Sequence, residues 1–184
     1  MSKIILDLCG GTGAWSKPYL GAEYDVQLIT LPEWDVANYT PFQPIHGILA
    51  APPCTEFSLA KNNKPRDFNK GMVVVQHCLR IIWTARKFHG LKWWALENPR
   101  CFLRQFLGLP AFTFEQWEFG DDGIKPTDIW GYFNRPKTFV HKRPAGMIKK
   151  FPNGKRNCKN WSRSPEKRAI TPAGFAQAFF EANP

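Results

Sequence analysis

Four short apolar runs recur through the first half of the chain, and each ends in a turn that a strand cannot continue through. Lys3–Leu6 runs into Asp7 and a glycine-rich turn, and Asp25–Thr30 is followed by Pro32. Gly47–Ala50 is cut off by Pro52-Pro53, and Trp93–Leu96 by Glu97-Asn98-Pro99. Helical patterns lie between them. Ala14–Leu20 predicts a short helix stopped by Gly21. Met72 to His89 places Val75, Leu79, Ile82 and Trp83 at amphipathic spacing and ends at Gly90. This βαβ rhythm predicts an α/β fold, a mostly parallel sheet with helices on both faces.

The second half is less regular. Phe112–Phe119 is β-like and aromatic, Ile129–Phe133 predicts a further strand, and Ala173–Ala182 predicts a closing helix with Thr171 as cap and Pro172 at its first position. With 184 residues and no repeat, one domain spanning 1–184 is expected. No apolar run approaches the ~20 residues of a membrane span. The start of the chain turns acidic too soon for a signal peptide. Five cysteines without a CxxC pair argue against a disulfide scaffold or a zinc ribbon, so no metal is expected and a reducing cytoplasm is the expected setting.

Charge is unevenly distributed. The formal net charge is +10, yet residues 135–168 alone carry twelve Lys or Arg against one acid, Glu166. A patch of this kind attracts phosphate backbones by counterion release, although a solvated loop would read the same way. Phe139, Phe151 and Trp161 stand among these cations, where they would stack on bases. A second basic stretch, Lys61, Lys64, Arg66 and Lys70, follows Cys54 and reads as a lid or as a plain exposed loop.

In open α/β sheets ligands bind at the carboxyl ends of the strands. Three unusual segments fall there. Asp7-Leu8-Cys9-Gly10-Gly11-Thr12-Gly13 lets backbone approach a ligand closely, but it lacks the Lys of a phosphate loop and has Ser16 where a GxGxxG motif ends. Ala51-Pro52-Pro53-Cys54 stiffens the chain before a cysteine, which suits a thiol held out from the sheet and partly deprotonated for nucleophilic work. Glu97 ends an apolar strand, where a carboxyl should have a raised pKa. Cys9, Cys78 and Cys101 sit among apolar residues and read as core.

Taken with Thr55-Glu56-Phe57-Ser58, these segments resemble, in order and rough spacing, the DNA (cytosine-5) methyltransferase family. The Pro-Pro-Cys-x-x-Phe-Ser block is the most specific part. The likeness covers the first half of the chain well and the region of Gly174-Phe175-Ala176 more loosely. It implies a Rossmann-like methyltransferase fold and methyl transfer from S-adenosylmethionine to cytosine C5 in DNA. Cys54 would add to C6 and Glu97 would bond the pyrimidine N3 edge. The same resemblance implies a cofactor site at Asp7, Gly11, Gly13, Trp15, Asp35 and Pro52, and substrate contacts at Ser58, Asn98 and Thr127. A target inside a duplex would be flipped out of the stack.

The chain departs from the family in four places. Cys9 replaces the usual aromatic against the adenine, and Thr30 stands where an acid grips the ribose, with Glu33 out of register. The usual arginine beside the cytosine has no clear counterpart, and Lys125 is the nearest cation to nominate. There is no room for a separate recognition domain, and 135–168 takes its place in chain order. The compact form suggests a viral or bacterial source. Two rival readings remain open: a cytosine-modifying enzyme with another donor or a free nucleotide substrate, and a DNA-binding protein that has lost catalysis.

Overall fold

The computed structural model describes residues 2–61, 64–150, 156–158 and 164–184. Four strands and two helices of the first half set the frame: β1 (Ile4–Leu8), α1 (Lys17–Gly21), β2 (Asp25–Ile29), β3 (Gly47–Ala50), α2 (Phe68–Phe88) and β4 (Trp93–Pro99), with β5 (Phe112–Glu115) and β6 (Pro126–Tyr132) further on. The six strands form one sheet in the order β2-β1-β3-β4-β6-β5. The first four are parallel, and β6 runs antiparallel to both β4 and β5. This is an α/β architecture compatible with a Rossmann-like fold.

The strand sequences alternate between two cores because successive side chains point to opposite faces. Leu6, Leu8, Ile48, Ala50 and Leu96 are buried on one face with Val75, Cys78, Ile81, Ile82 and Ala85 of α2. Ile5, Leu49, Trp93, Ala95 and Ile129 are buried on the other with Tyr19 of α1 and with Phe175, Ala176, Ala178 and Phe179 of the closing helix α5 (Ala173–Ala182). Phe175 stacks on Phe114 with ring centroids 4.1 Å apart. Helices therefore cover both faces, as the βαβ rhythm predicts.

Several expectations are corrected. Helix α2 starts at Phe68, where Asp67 caps it by accepting from Lys70 N at 2.9 Å. Trp83 is more than half exposed and does not join the core, because Cys78, Ile81 and Ala85 supply the inner stripe instead. Glu97, Asn98 and Pro99 belong to β4 itself, paired in register with Ile129, Asp128 and Thr127 of β6. The residue capping α5 is Pro172, whose ψ of 136° keeps it outside the helix, and Thr171 lies one residue further out.

The aromatic run Phe112–Phe119 is strand only to Glu115 and then turns as a 3-10 helix. The basic segment contains a small hairpin, β7 (Ile148–Lys150) with β8 (Arg156–Cys158), and a short helix α4 (Pro165–Ala169). Helix α3 (Arg104–Leu107) completes the set. Among the described residues no helix is long and apolar enough to cross a membrane.

Candidate functional site

The chain leaves β1 toward β2 on one side and toward β3 on the other, so the strand order reverses between β1 and β3. A crevice opens at such a point, beyond the carboxyl ends of the strands. Here it is a cavity of about 260 Å³ lined by Asp7, Gly11, Trp15, Pro52, Cys54, Glu97 and Lys125, among others. Seven of the twelve residues nominated from the sequence thus share one space.

Each wall has a local cause. The β1 loop closes through Gly13 N to Gly10 O at 3.0 Å, and Gly11 and Gly13 hold φ of 57° and 69°. A side chain at Gly10 would fall 2.2 Å from Asp7 Oδ1, so only glycine leaves room for that carboxylate. Asp7 is buried and accepts from Ser16 Oγ at 2.6 Å, which gives Ser16 a task unrelated to a missing glycine. Burial pushes the Asp7 carboxyl up to about 6, the Ser16 bond opposing it. Asp7 Oδ1 and Trp15 Nε1 are buried without a partner among the described residues, leaving one acceptor and one donor for a ligand.

The Pro-Pro-Cys turn is tied to both neighbouring strands. Ala51 N donates to Leu8 O at 2.9 Å, and Asn98 Nδ2 donates to Pro52 O at 3.0 Å from inside the protein. The carbonyl of Cys54 accepts from Phe57 N and Ser58 N at 3.0 and 2.8 Å, turning the chain back so that buried Phe57 anchors the loop.

Cys54 is partly buried. Burial pushes its thiol up, and the Glu97 charge adds to this, while Lys125 pulls it down. The partly deprotonated thiol expected from the sequence is therefore corrected: desolvation outweighs the two nearby cations, Lys125 and Arg168. Glu97 behaves as its position at an apolar strand end predicts, raised chiefly by burial and opposed by Lys125, whose Nζ stands 3.7 Å from Glu97 Oε1. Lys125 Nζ also donates to Arg168 O at 3.3 Å, drawing the end of α4 over the cavity, where Ala169, Ile170 and Thr171 form a wall. No sequence signal marked that wall.

The other nominated residues do not line this cavity, although Thr127 shares a small adjoining space with Glu97 and Lys125. Asn98 is the buried strut just described, and Thr127 is buried with Oγ1 donating to Lys125 O at 3.3 Å. Ser58 Oγ accepts from Ala60 N at 3.1 Å, outside the cavity lining. Asp35 is exposed, with Oδ1 accepting from Ala37 N at 2.9 Å, and does not reach the cavity wall. Gly13 shapes the loop without lining it. Cys9 packs against the core, as expected, and also lines the cavity, its sulfur 4.0 Å from that of buried Cys78, whose hydrogen bond lowers the Cys9 pKa. Among the described residues no cluster of His, Cys, Asp and Glu could hold a metal.

A wider cleft of about 650 Å³ shares Lys125, Ile170 and Thr171 with the cavity and continues past Lys17, Lys167, Arg168 and Asp121. The basic loop after Cys54 is partly committed to internal bonds. Lys61 pairs with Glu56, and Arg66 donates to Glu56 O at 2.8 Å while lying over the Phe102 ring. Phe139 is half exposed but edges onto Phe119, and Arg143 pairs with Glu115. Phe151 and Trp161 lie outside the described residues.

No protein-family model matches the chain, and no curated protein is significantly similar to it.

Proposed function

We propose that the chain transfers a methyl group to C5 of cytosine in DNA, on a Rossmann-like methyltransferase fold. One observation carries the reading: Cys54, Glu97 and Lys125 meet the glycine-rich β1 loop around a single cavity at the strand-order reversal. A dinucleotide oxidoreductase is compatible with such a sheet, but nothing in it requires the Pro52-Pro53-Cys54 turn.

The residues suit the chemistry. Cys54 Sγ forms a bond to C6 of the ring while the electron pair of the C5–C6 double bond moves toward C5. Glu97, held nearer its protonated form by burial, donates to N3 and takes up the charge that the ring gains. A protonated Glu97 also stops raising the Cys54 pKa, so neutral acid and thiolate support each other next to Lys125. S-adenosylmethionine supplies an electrophilic methyl group. The unpartnered Asp7 Oδ1 fits its ammonium and Trp15 Nε1 its carboxylate. When C5, now bonded to the methyl group, gives its proton to water, the electron pair of that bond restores the C5–C6 double bond and expels the Cys54 thiolate.

The substrate strand is expected to leave through the cleft of Lys17, Lys167 and Arg168, where cations meet phosphates. That cleft would also receive the phosphates of a free cytosine nucleotide, the rival substrate. Assaying methyl transfer from S-adenosylmethionine to duplex DNA, single-stranded DNA and a cytosine mononucleotide separates the two. Turnover on DNA alone supports this reading, turnover on the mononucleotide alone selects the rival, and no transfer to any of them overturns both.

A further inference from the structure

At the other end of the sheet from Cys54 and Glu97, the chain exposes rings and cations with no acid among them. Residues 83–94 contain Arg86, Lys87 and Lys92 and neither Asp nor Glu. Trp83 is 53% exposed and Phe88 67%, and Tyr132, at the end of β6, is 69% exposed. Trp94 and Tyr132 are directly opposed in the β4–β6 register, so they share the α2 face of the sheet. Trp83 continues the row, its ring centroid 6.4 Å from that of Trp94. Arg86 Cζ lies 5.4 Å from the Trp83 ring centroid, and Lys87 Nζ lies 5.0 Å from that of Phe88. Between them is a cavity of about 270 Å³ lined by Arg86, Leu91, Lys92, Trp93, Trp94 and Tyr132. The indole N–H of Trp94 is buried without an acceptor among the described residues.

We propose that the Tyr132–Trp94–Trp83 row, flanked by Arg86 and Lys92, is a second nucleic-acid contact that takes an unpaired strand by stacking its bases. Exposed rings with cations packed over and beside them match a polynucleotide in both its parts. The rings take π-faces irrespective of base identity, and the cations take the phosphates. The concave site suits an inserted base. With Arg86 and Lys92 in its lining and no acid, the cavity is complementary to an anionic partner, and the phosphates of a strand meet that demand. The proposal is independent of methyl transfer, because it concerns binding at the opposite pole of the sheet.

Photocrosslinking tests it. Short oligonucleotides bearing 5-iodouracil, one of DNA and one of RNA, are irradiated with the full chain and the attached peptides mapped by mass spectrometry. Attachment at Trp83, Trp94 or Tyr132 is expected, and the oligonucleotide that attaches more efficiently names the natural strand. Trp83→Ala with Tyr132→Ala should weaken binding about tenfold for each stacked ring lost. Arg86→Gln with Lys92→Gln, which keeps every ring, should weaken it and flatten its salt dependence. Crosslinks confined to other segments, or unchanged affinity in both double variants, overturn the proposal. So does retention by vesicles containing phosphatidylserine in the absence of oligonucleotide binding, which would assign the surface to lipid.

Discussion

Lys125 Nζ stands 3.7 Å from Glu97 Oε1, and its charge favours the thiolate of Cys54 in the same cavity. One ammonium on the residue before β6 therefore lowers the proton affinity of both groups. Burial drives both groups toward their neutral forms, and Lys125 is the main influence working against it.

Replacing Lys125 by Gln should raise the pKa of Cys54 and of Glu97 together. The rate at which iodoacetamide alkylates Cys54, followed by peptide mapping, should rise at higher pH in the variant than in the wild type. Lys125→Arg should restore the wild-type profile. An unchanged profile in Lys125→Gln would show that the ammonium does not act on the thiol.

Asp7 gives a stability signature with a definite sign. Its carboxyl titrates near 3.8 in an unfolded chain and at about 6 in the fold. Between those values the native state holds the extra proton, so stability falls as pH rises through that window and stays lower above it. The penalty above the window is about 3 kcal/mol. Asp7→Asn, which keeps an acceptor for Ser16, should gain Tm relative to wild type at about pH 7.5 and much less at about pH 5. Calorimetry at the two pH values checks this; a gain that does not depend on pH would contradict it. The same variant should bind S-adenosylmethionine roughly tenfold or more weakly, since a hydrogen bond to a charged group is lost.

Asn98 is expected to act through Pro52. Asn98→Ala leaves the Pro52 carbonyl without its buried donor, a loss of about 1–3 kcal/mol. The Cys54 turn loses its strut to β4. Turnover should fall more than cofactor affinity does, and denaturant unfolding should show the stability loss. Wild-type turnover with the expected destabilisation would make Asn98 a structural residue only.

The frame of the protein was legible where sequence pattern and packing agree. Gly47–Ala50 has the predicted bounds because Pro52-Pro53 cannot continue a parallel strand, and α5 because its small and aromatic residues alternate at helical spacing. Trp83 misled because helical spacing alone does not say which of two adjacent stripes faces the sheet. Glu97 was legible as an acid with a raised pKa, since an apolar strand leads straight into it. The state of Cys54 was not, because it depends on how far nearby cations offset desolvation, a balance to which Lys125 contributes from the loop before β6. The Ala169–Thr171 wall was also hidden because it is a long-range contact, and the Asp7–Ser16 bond because no local motif marks a bond across the β1 loop. The link between residues 135–168 and nucleic acid rests on charge, as Phe151, Lys155 and Trp161 lie outside the described residues.

Covalent trapping tests the central claim most directly. DNA containing 5-fluorocytosine is incubated with the chain and S-adenosylmethionine, denatured, and the protein–DNA adduct mapped by mass spectrometry. After addition at C6 and methyl transfer to C5, fluorine cannot leave as the proton does, so the thioether persists. An adduct on Cys54 carrying one added methyl group, absent in Cys54→Ser and sharply reduced in Glu97→Gln, is the predicted result. No adduct under conditions in which the DNA and S-adenosylmethionine both bind, or an adduct that survives Cys54→Ser, would contradict it.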